Sequence, residues 1–170
     1  MSKVNITLLY QASRDGFIAK SFHSKCDGIL GTLTLVKSNN ENIFGGYTKA
    51  DWFSSIGYYN KYDDNAFLFS LVNGYNTTVK MSITNPNNAI VAADYLGPSF
   101  GGAAVAACDL CFYSSDLSFG ESNLIGQNYQ LPPFPISDAA LLAGTRAFQA
   151  VQIEVYSIQF WKFWKIIFKT

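Results

Sequence analysis

The sequence has few charges, few cysteines and only one histidine. Charged residues make up 14% of the 170 residues, and the formal net charge is zero. Without a basic excess, the chain lacks the electrostatic field that attracts nucleic acid, so DNA and RNA binding are disfavoured. The chain has a single histidine and no Gly-x-Ser-x-Gly motif, so a hydrolase with a Ser-His-Asp triad is disfavoured. The odd number of cysteines, three, argues against a disulfide framework.

Long apolar runs are also missing from the sequence. The N-terminal segment, residues 1–7, has no apolar stretch of the length that a secretory signal requires. No stretch reaches the roughly 18 apolar residues of a membrane-spanning helix. We therefore expect an intracellular protein in a reducing compartment, by default the cytoplasm.

Apolar and aromatic residues are abundant. Apolar residues make up 49% of the chain and aromatic residues 16%, with 14 phenylalanines and 10 tyrosines. This much side-chain mass can offset the conformational entropy lost on folding, which disfavours disorder. Phenylalanine and tyrosine also suit half-buried strands. Together with the chain length, these features predict a single β-rich domain.

One short amphipathic helix is predicted near the N-terminus. Ile18, Phe22 and Cys26 repeat every fourth residue, which places them on one side of a helix. Ser13 or Asp15 is expected to cap its start.

From residue 31 onward, apolar segments separated by turns predict strands. The predicted strands are 32–36, 43–48, 66–72, 77–83, 89–95, 103–113 and 148–156. Residues 114 to about 145 are predicted to be loop, with a short helical turn at 139–142. Many strands and few helices indicate an α+β, β-rich fold: an antiparallel two-sheet β-sandwich flanked by a few helices.

A succession of motifs resembles one known family. The motifs are Leu8–Phe17, Phe22–Asp27, Gly31–Ser38, Asn42–Thr48, Trp52, Asn65–Asn73, Asn85–Ile90, Tyr95–Gly102, Ser122–Gly126 and Ile153–Tyr156. In this order they are similar to the TLDc domain, and the resemblance covers about residues 4–157. Residues 158–170 form an aromatic and basic tail outside that pattern. The segment 101–111 also departs from it, since related sequences carry a His-Asp-Leu-Tyr-like segment there.

The resemblance implies a β-sandwich core with helices and a place in the oxidation-resistance group. Members of that group are similar in protecting cells from oxidative stress, and several bind and regulate the vacuolar proton-pumping ATPase. No shared catalytic constellation and no cofactor come with the family. The resemblance therefore implies a non-catalytic protein-interaction domain, not an enzyme, with subunits of the vacuolar ATPase as candidate partners.

Four metal-type ligands support an alternative function. His23 and Cys26, with Cys108 and Cys111, have the donors and pair spacing of a structural zinc site. However, residues three apart on a regular strand point to opposite faces, and Cys108 and Cys111 lie in a predicted strand. Apolar neighbours would also raise their thiol pKa, which disfavours redox chemistry. The alternative is a thiol-based redox protein or zinc-stabilised domain using Cys108 and Cys111; the competing interpretation is two small buried cysteines and a histidine on the helix surface.

The tail combines aromatic side chains with lysines at positions 162, 165 and 169, which is the spacing of one side of a helix. Its candidate interaction residues are Trp161, Lys162, Trp164 and Lys165. A short basic helix with tryptophans suits a membrane interface or the groove of a partner protein. A terminal helix packed on the domain and a foreign terminus are the other two interpretations.

Overall fold

The computed structural model describes residues 4–102, 108–123, 128–133 and 141–160, which form eleven strands and two short α-helices. The strands are β1 (Val4–Gln11), β2 (Thr32–Ser38), β3 (Ile43–Thr48), β4 (Tyr59–Lys61), β5 (Phe67–Val72), β6 (Val79–Ser82), β7 (Ile90–Ala92), β8 (Ser99–Phe100), β9 (Leu110–Cys111), β10 (Phe119–Ser122) and β11 (Ala147–Phe160). The helices are α1 (Ala12–Asp15) and α2 (Ala19–Cys26), and Pro86–Asn88 is a single 3₁₀ turn.

The helical region near the N-terminus is interrupted, unlike the single helix that the sequence predicted. Gly16 has a φ of +96° and Ile18 an extended backbone, so α2 begins only at Ala19. Neither Ser13 nor Asp15 caps α2, because no side chain caps its start and the Asp15 carboxylate accepts a hydrogen bond from the backbone N–H of Gln11 at 2.9 Å. In the part of the chain that the structure describes, no helix is long and apolar enough to cross a membrane.

The buried side of α2 packs into the main core. Phe22 and Cys26 are fully buried, as predicted, and the ring of Phe22 contacts Tyr10 and Trp52 edge to face. Ile18 is 48% exposed because it precedes the helix and does not share its buried side.

The strands form one continuous antiparallel sheet in place of the two separate sheets predicted from the sequence. The order is β4-β7-β8-β9-β10-β11-β2-β3-β5-β6, and β1 also pairs with β11. The length of β11 explains the single sheet. Its residues 147–149 pair with β10, whereas residues 150–157 pair with β2. A 14-residue strand can join both halves of the sheet, whereas the predicted strand was shorter.

The sheet folds back on itself around a shared core. Phe100 in β8 lies so close to β3 that a β-carbon at Gly46 would be 2.7 Å from its ring. In the strand order, β8 and β3 are five strand spacings apart, about 24 Å in a flat sheet. Their contact therefore requires curvature, which produces sandwich-like packing without a break in pairing. The glycines at positions 45 and 46 thus allow a close approach of neighbouring chain segments.

Two hairpins match the sequence analysis, whereas four of the observed strands were not predicted. β2 pairs with β3, and β5 pairs with β6, close to the predicted segments. The sequence analysis missed β1 and the short strands β4 and β8, and it missed β10 because that strand lies within the predicted loop. Of the predicted strand 103–113, residues 103–107 lie outside the described residues, and β9 contributes only Leu110–Cys111. The predicted turn at 139–142 lies largely outside them as well.

Candidate functional site

The outward side of β2 carries leucines, because its threonines and valine point into the core. Thr32, Thr34 and Val36 are fully buried, whereas Leu33 and Leu35 alternate with them and are only partly buried. Successive side chains on a strand point to opposite faces. Leu33 and Leu35 therefore lie on the side of the sheet that faces away from the core.

Cross-strand pairing extends this outward side over neighbouring strands. Tyr156 pairs with Leu33, Leu33 with Tyr47, and Tyr47 with Phe67, so four apolar side chains form one row across β11, β2, β3 and β5. A second row passes through Leu35 and Phe69 to Lys80 in β6. We call the following residues the outer face: Leu33, Leu35, Tyr47, Phe67, Phe69, Leu71, Lys80 and Tyr156.

A groove of about 500 Å³ runs over this outer face. It is lined by Leu33, Leu35, Phe67, Phe69, Leu71, Thr78, Val79 and Lys80. All of these belong to β2, β5, β6 or the turn before β6, so no other described element enters the groove. Leu71 is 47% exposed. The groove is thus an open, mainly apolar surface on an otherwise core-forming sheet.

Phe67 is the central side chain of the outer face. Its ring stacks on Tyr47, with 5.3 Å between the centroids and an interplanar angle of 24°. The ammonium group of Lys80 lies 4.3 Å from the centroid of the Phe67 ring. A cation over an aromatic face is attracted by the ring quadrupole, which holds Lys80 at the rim of the groove.

Glu154 places a negative charge beside the outer face. The Tyr156 hydroxyl donates to Glu154 Oε2 at 2.5 Å, and the Gln11 side chain donates to Glu154 Oε1 at 2.9 Å. The hydrogen bond to Glu154 raises the pKa of Tyr156 to about 12. Tyr156 is therefore neutral at physiological pH and keeps its ring in the apolar row.

The interaction residues predicted in the tail, Trp161, Lys162, Trp164 and Lys165, lie outside the described residues. Strand β11 continues past residue 157, the predicted end of the domain. Ile158 pairs with Ile6, and its backbone N–H donates to the carbonyl oxygen of Gly31 at 2.8 Å. The tail therefore begins beside the end of β2 that carries Leu33.

Cys108 and Cys111 are joined in a disulfide, with 5.7 Å between their Cα atoms. The prediction that they point to opposite faces is wrong, because β9 has only two residues and Cys108 precedes it. Both are buried, and the Tyr58 hydroxyl lies 3.8 Å from the Cys108 sulfur. The third cysteine, Cys26, is a free thiol, and burial raises its pKa well above the usual value.

The four predicted zinc ligands do not form one site. His23 is 6% exposed and thus not on the helix surface. Its Nδ1 lies 2.6 Å from Asp27 Oδ1, and its Nε2 lies within 3.0 Å of the carbonyl oxygens of Ala93 and Leu96. Both ring nitrogens are thus engaged by oxygen atoms. Within the described ranges, no group of three or more His, Cys, Asp or Glu side chains has the arrangement of a metal site.

Asp109, between the two disulfide cysteines, was not identified from the sequence. It is 1% exposed, and its Oδ2 accepts a hydrogen bond from the Asn128 side chain at 2.9 Å. Burial raises the pKa of Asp109 to about 7. An acidic residue within a strongly apolar run was the available sequence signal, because such a residue is costly to bury in its charged form.

The family model described as TLDc domain matches residues 1–159 of the chain. A search of curated proteins found no match.

Proposed function

Because the chain belongs to the TLDc domain family, we propose that it is a non-catalytic domain that binds another protein through its outer face. The observation that carries this proposal is the open apolar groove over β2, β5 and β6, which no other described element enters. Contiguous exposed apolar surface is uncommon on soluble domains and often marks an interaction site.

The composition of the outer face suits protein recognition. Buried aromatic anchors surrounded by a polar rim contribute most of the binding free energy in protein interfaces. Here Phe67 is the aromatic anchor, while Lys80 and Glu154 provide charges of opposite sign at the two sides. A partner surface with an apolar centre and a nearby acidic group opposite Lys80 would complement it.

The resemblance to the oxidation-resistance group supports a more specific role. We propose a cytoplasmic protein that protects cells from oxidative stress by binding subunits of the vacuolar proton-pumping ATPase. Nothing in this role requires a catalytic residue or a cofactor. The family likeness supports the choice of partner, and the geometry of the outer face supports the mode of contact.

The test is binding of the full chain to the proton-pumping ATPase purified from vacuolar membranes. Leu71→Glu places a charge in the groove at a half-exposed position, so folding should tolerate it. Ile56→Glu is the matched control, because Ile56 is 99% exposed and does not line the groove. We expect Leu71→Glu to weaken binding about tenfold or more, as for a central interface residue, and Ile56→Glu to leave it unchanged.

Two results would count against the proposal. Failure of the unmodified chain to bind any subunit at low salt would remove the specific partner. Equal binding by the Leu71→Glu and Ile56→Glu chains would show that the outer face is not the surface used.

The disulfide favours a second candidate function, a thiol-based redox protein that uses Cys108 and Cys111. In the reduced form, the two thiols would transfer two electrons and two protons to hydrogen peroxide, and the products would be the disulfide and two molecules of water. The burial of both sulfurs favours slow reaction with large partners, which is why this function comes second. Peroxide consumption by the reduced chain, compared with that of Cys108→Ser, tests it: equal rates would exclude this chemistry.

A further inference from the structure

The outer edge of β1 has backbone hydrogen-bonding groups that have no partner among the described residues. The backbone N–H of Ile158 donates to the carbonyl oxygen of Gly31 at 2.8 Å, on the β2 side of β11. Ile158 pairs with Ile6. Because the hydrogen bonds of a strand alternate between its two neighbours, the N–H and C=O groups of Ile6 point away from β11. The same alternation directs those of Val4 and Leu8 outward.

The side chains around this edge leave it accessible. Val4 and Ile6 are exposed on one side of the strand, and Asn5 and Thr7 are exposed on the other. No described element therefore covers either side of β1 between residues 4 and 7. The strand also contains no charged residue and no proline, which are the residues that usually prevent an edge from pairing. The edge of β1 can therefore receive a further strand.

The two ends of the strand order are less suited to such pairing. At β6, the backbone N–H of Gln130 donates to the carbonyl oxygen of Ser82 at 2.9 Å, and Ile83 forms a bridge with Tyr129. β4 has only three residues, one of which is Lys61. Short or charged edge strands pair poorly with another chain. Of these three edges, that of β1 is the longest and the least covered.

We propose that β1 pairs with β1 of a second copy of the chain, antiparallel and centred on Ile6, so that the two copies form a symmetric dimer. In this register Ile6 lies opposite Ile6 of the second copy, and Val4 lies opposite Leu8. These are the residues whose backbone groups point outward. Three such pairs would exchange about six backbone hydrogen bonds, two for each pair.

The side chains of β1 favour a second copy as the occupant, because the strand complements itself in this register. Val4, Ile6 and Leu8 share one side of the strand, so apolar side chains would meet apolar side chains. On the other side, Asn5 would lie opposite Thr7, and the two polar side chains can form a hydrogen bond. Since β1 carries no charge, no like charges in β1 would meet across the two-fold axis.

The dimer would place the outer faces of both copies on one side of a continuous sheet. Leu8 pairs with Tyr156, which belongs to the outer face, so the apolar side of β1 lies on the same side of the sheet. The two copies of β2 would be five strand spacings apart, about 24 Å in a flat sheet. A partner with two equivalent surfaces could then occupy both grooves and bind more tightly through avidity. This consequence alone rests on the proposed function.

Sedimentation velocity of the full chain, from micromolar to millimolar concentration, tests the dimer. A contact between single strands is small, so we expect a weak association in which the average mass rises from 18.8 kDa toward twice that value. Ile6→Lys would place like charges directly opposite each other and should weaken dimerisation about tenfold or more. Because Ile6 is 61% exposed, the variant should fold. Ile56→Lys, at an exposed position outside β1, is the matched control and should dimerise like the unmodified chain.

A mixture of Ile6→Lys and Ile6→Glu chains tests the register. Each variant alone has like charges at the two-fold axis, whereas a mixed pair has opposite charges there. We expect each variant alone to stay monomeric at concentrations where the unmodified chain dimerises, and the equimolar mixture to recover dimers. Recovery would also show that both variants are folded.

Four results would overturn the proposal. The first is an unmodified chain that stays monomeric at every concentration. The second is a dimer that Ile6→Lys leaves intact; its loss in Leu71→Glu would identify the outer face as the contact. The third is growth beyond the dimer, because a two-fold contact uses the β1 edge of each copy once. The fourth is a mixture that fails to recover dimers. The Ile6 variants leave the groove residues unchanged, so binding to the ATPase is a separate measurement and the two proposals can fail separately.

Discussion

Gly101 lies directly against the carboxyl group of Asp109. Its φ is +75°, and a β-carbon at this position would overlap the Asp109 Oδ2 atom. Gly28 has a similar φ of +74° but no atom within 4 Å of its would-be β-carbon, and Gly74 has open space without a positive φ. These three positions separate backbone strain from steric overlap.

Alanine substitutions at these glycines should lower the free energy of unfolding in a graded series. We expect almost no change for Gly74→Ala, about 1 kcal/mol for Gly28→Ala from backbone strain, and about 3 kcal/mol for Gly101→Ala, where overlap adds to strain. Urea denaturation with a common m-value measures the series. A Gly101→Ala chain as stable as Gly28→Ala would show that the 101–109 contact is looser than described.

The buried carboxyl of Asp109 should make stability depend on pH. Burial raises its pKa from 3.8 to about 7, so the folded state favours the neutral form. The contribution of the neutral Asp109 carboxyl to the free energy of unfolding is fully present below about pH 4. It is lost as the pH rises through 7. At pH 8 we expect Asp109→Asn to be more stable than the unmodified chain by about 4 kcal/mol, and at pH 4 to be equal to it.

Urea denaturation between pH 4 and pH 8 measures this difference. The control is Asp64→Asn, since Asp64 is exposed and should show no comparable gain at pH 8. A difference between Asp109→Asn and the unmodified chain that does not change with pH would contradict the assignment.

Two threonines of β2 should respond in opposite ways to the same substitution. The Trp52 indole N–H donates to Thr32 Oγ1 at 2.9 Å, whereas the buried Thr34 Oγ1 has no hydrogen-bond partner among the described residues. Thr32→Val leaves the buried indole N–H unpaired and should cost about 1–3 kcal/mol. Thr34→Val removes an unpaired hydroxyl and should be neutral or stabilising. Thermal unfolding of both variants measures the difference. Equal losses of stability in Thr32→Val and Thr34→Val would contradict the expected difference between the two hydroxyl groups.

The oxidation state of the cysteines can be measured by counting the thiols that react with an alkylating reagent. When the purified chain is alkylated in denaturant without reductant, we expect one label, on Cys26, and three labels after reduction. Because the disulfide closes a short loop, Cys108→Ala should lower the free energy of unfolding by only about 2 kcal/mol. Mass spectrometry reads the labels, and three labels without reductant would show that Cys108 and Cys111 are free.

The sequence was most informative where structure depends on neighbouring residues. The hairpin of β5 and β6 follows from apolar segments around the Asn73–Gly74 turn, and the buried side of α2 follows from the spacing of Phe22 and Cys26. The single sheet was not predictable, because it depends on β11 pairing with both β10 and β2, and β2 is distant from it in sequence.

The candidate site was harder to predict for a different reason. In β2, leucines and threonines alternate, and hydrophobicity alone would bury the leucines. The structure buries Thr32 and Thr34 and turns Leu33 outward. Which face of β2 is buried depends on the side over which the rest of the sheet closes. The pairing of Cys108 with Cys111 was missed for a related reason, since it depends on β9 being shorter than the apolar run around it.

The central place of β11 also has a consequence for synthesis. This strand pairs with β1, β2 and β10, yet it is the last described strand to leave the ribosome. Until it emerges, β1 and β2 lack their shared partner and present open edges. Pairings between such distant segments form slowly, so nascent chains should depend on chaperones until residue 160 has been translated.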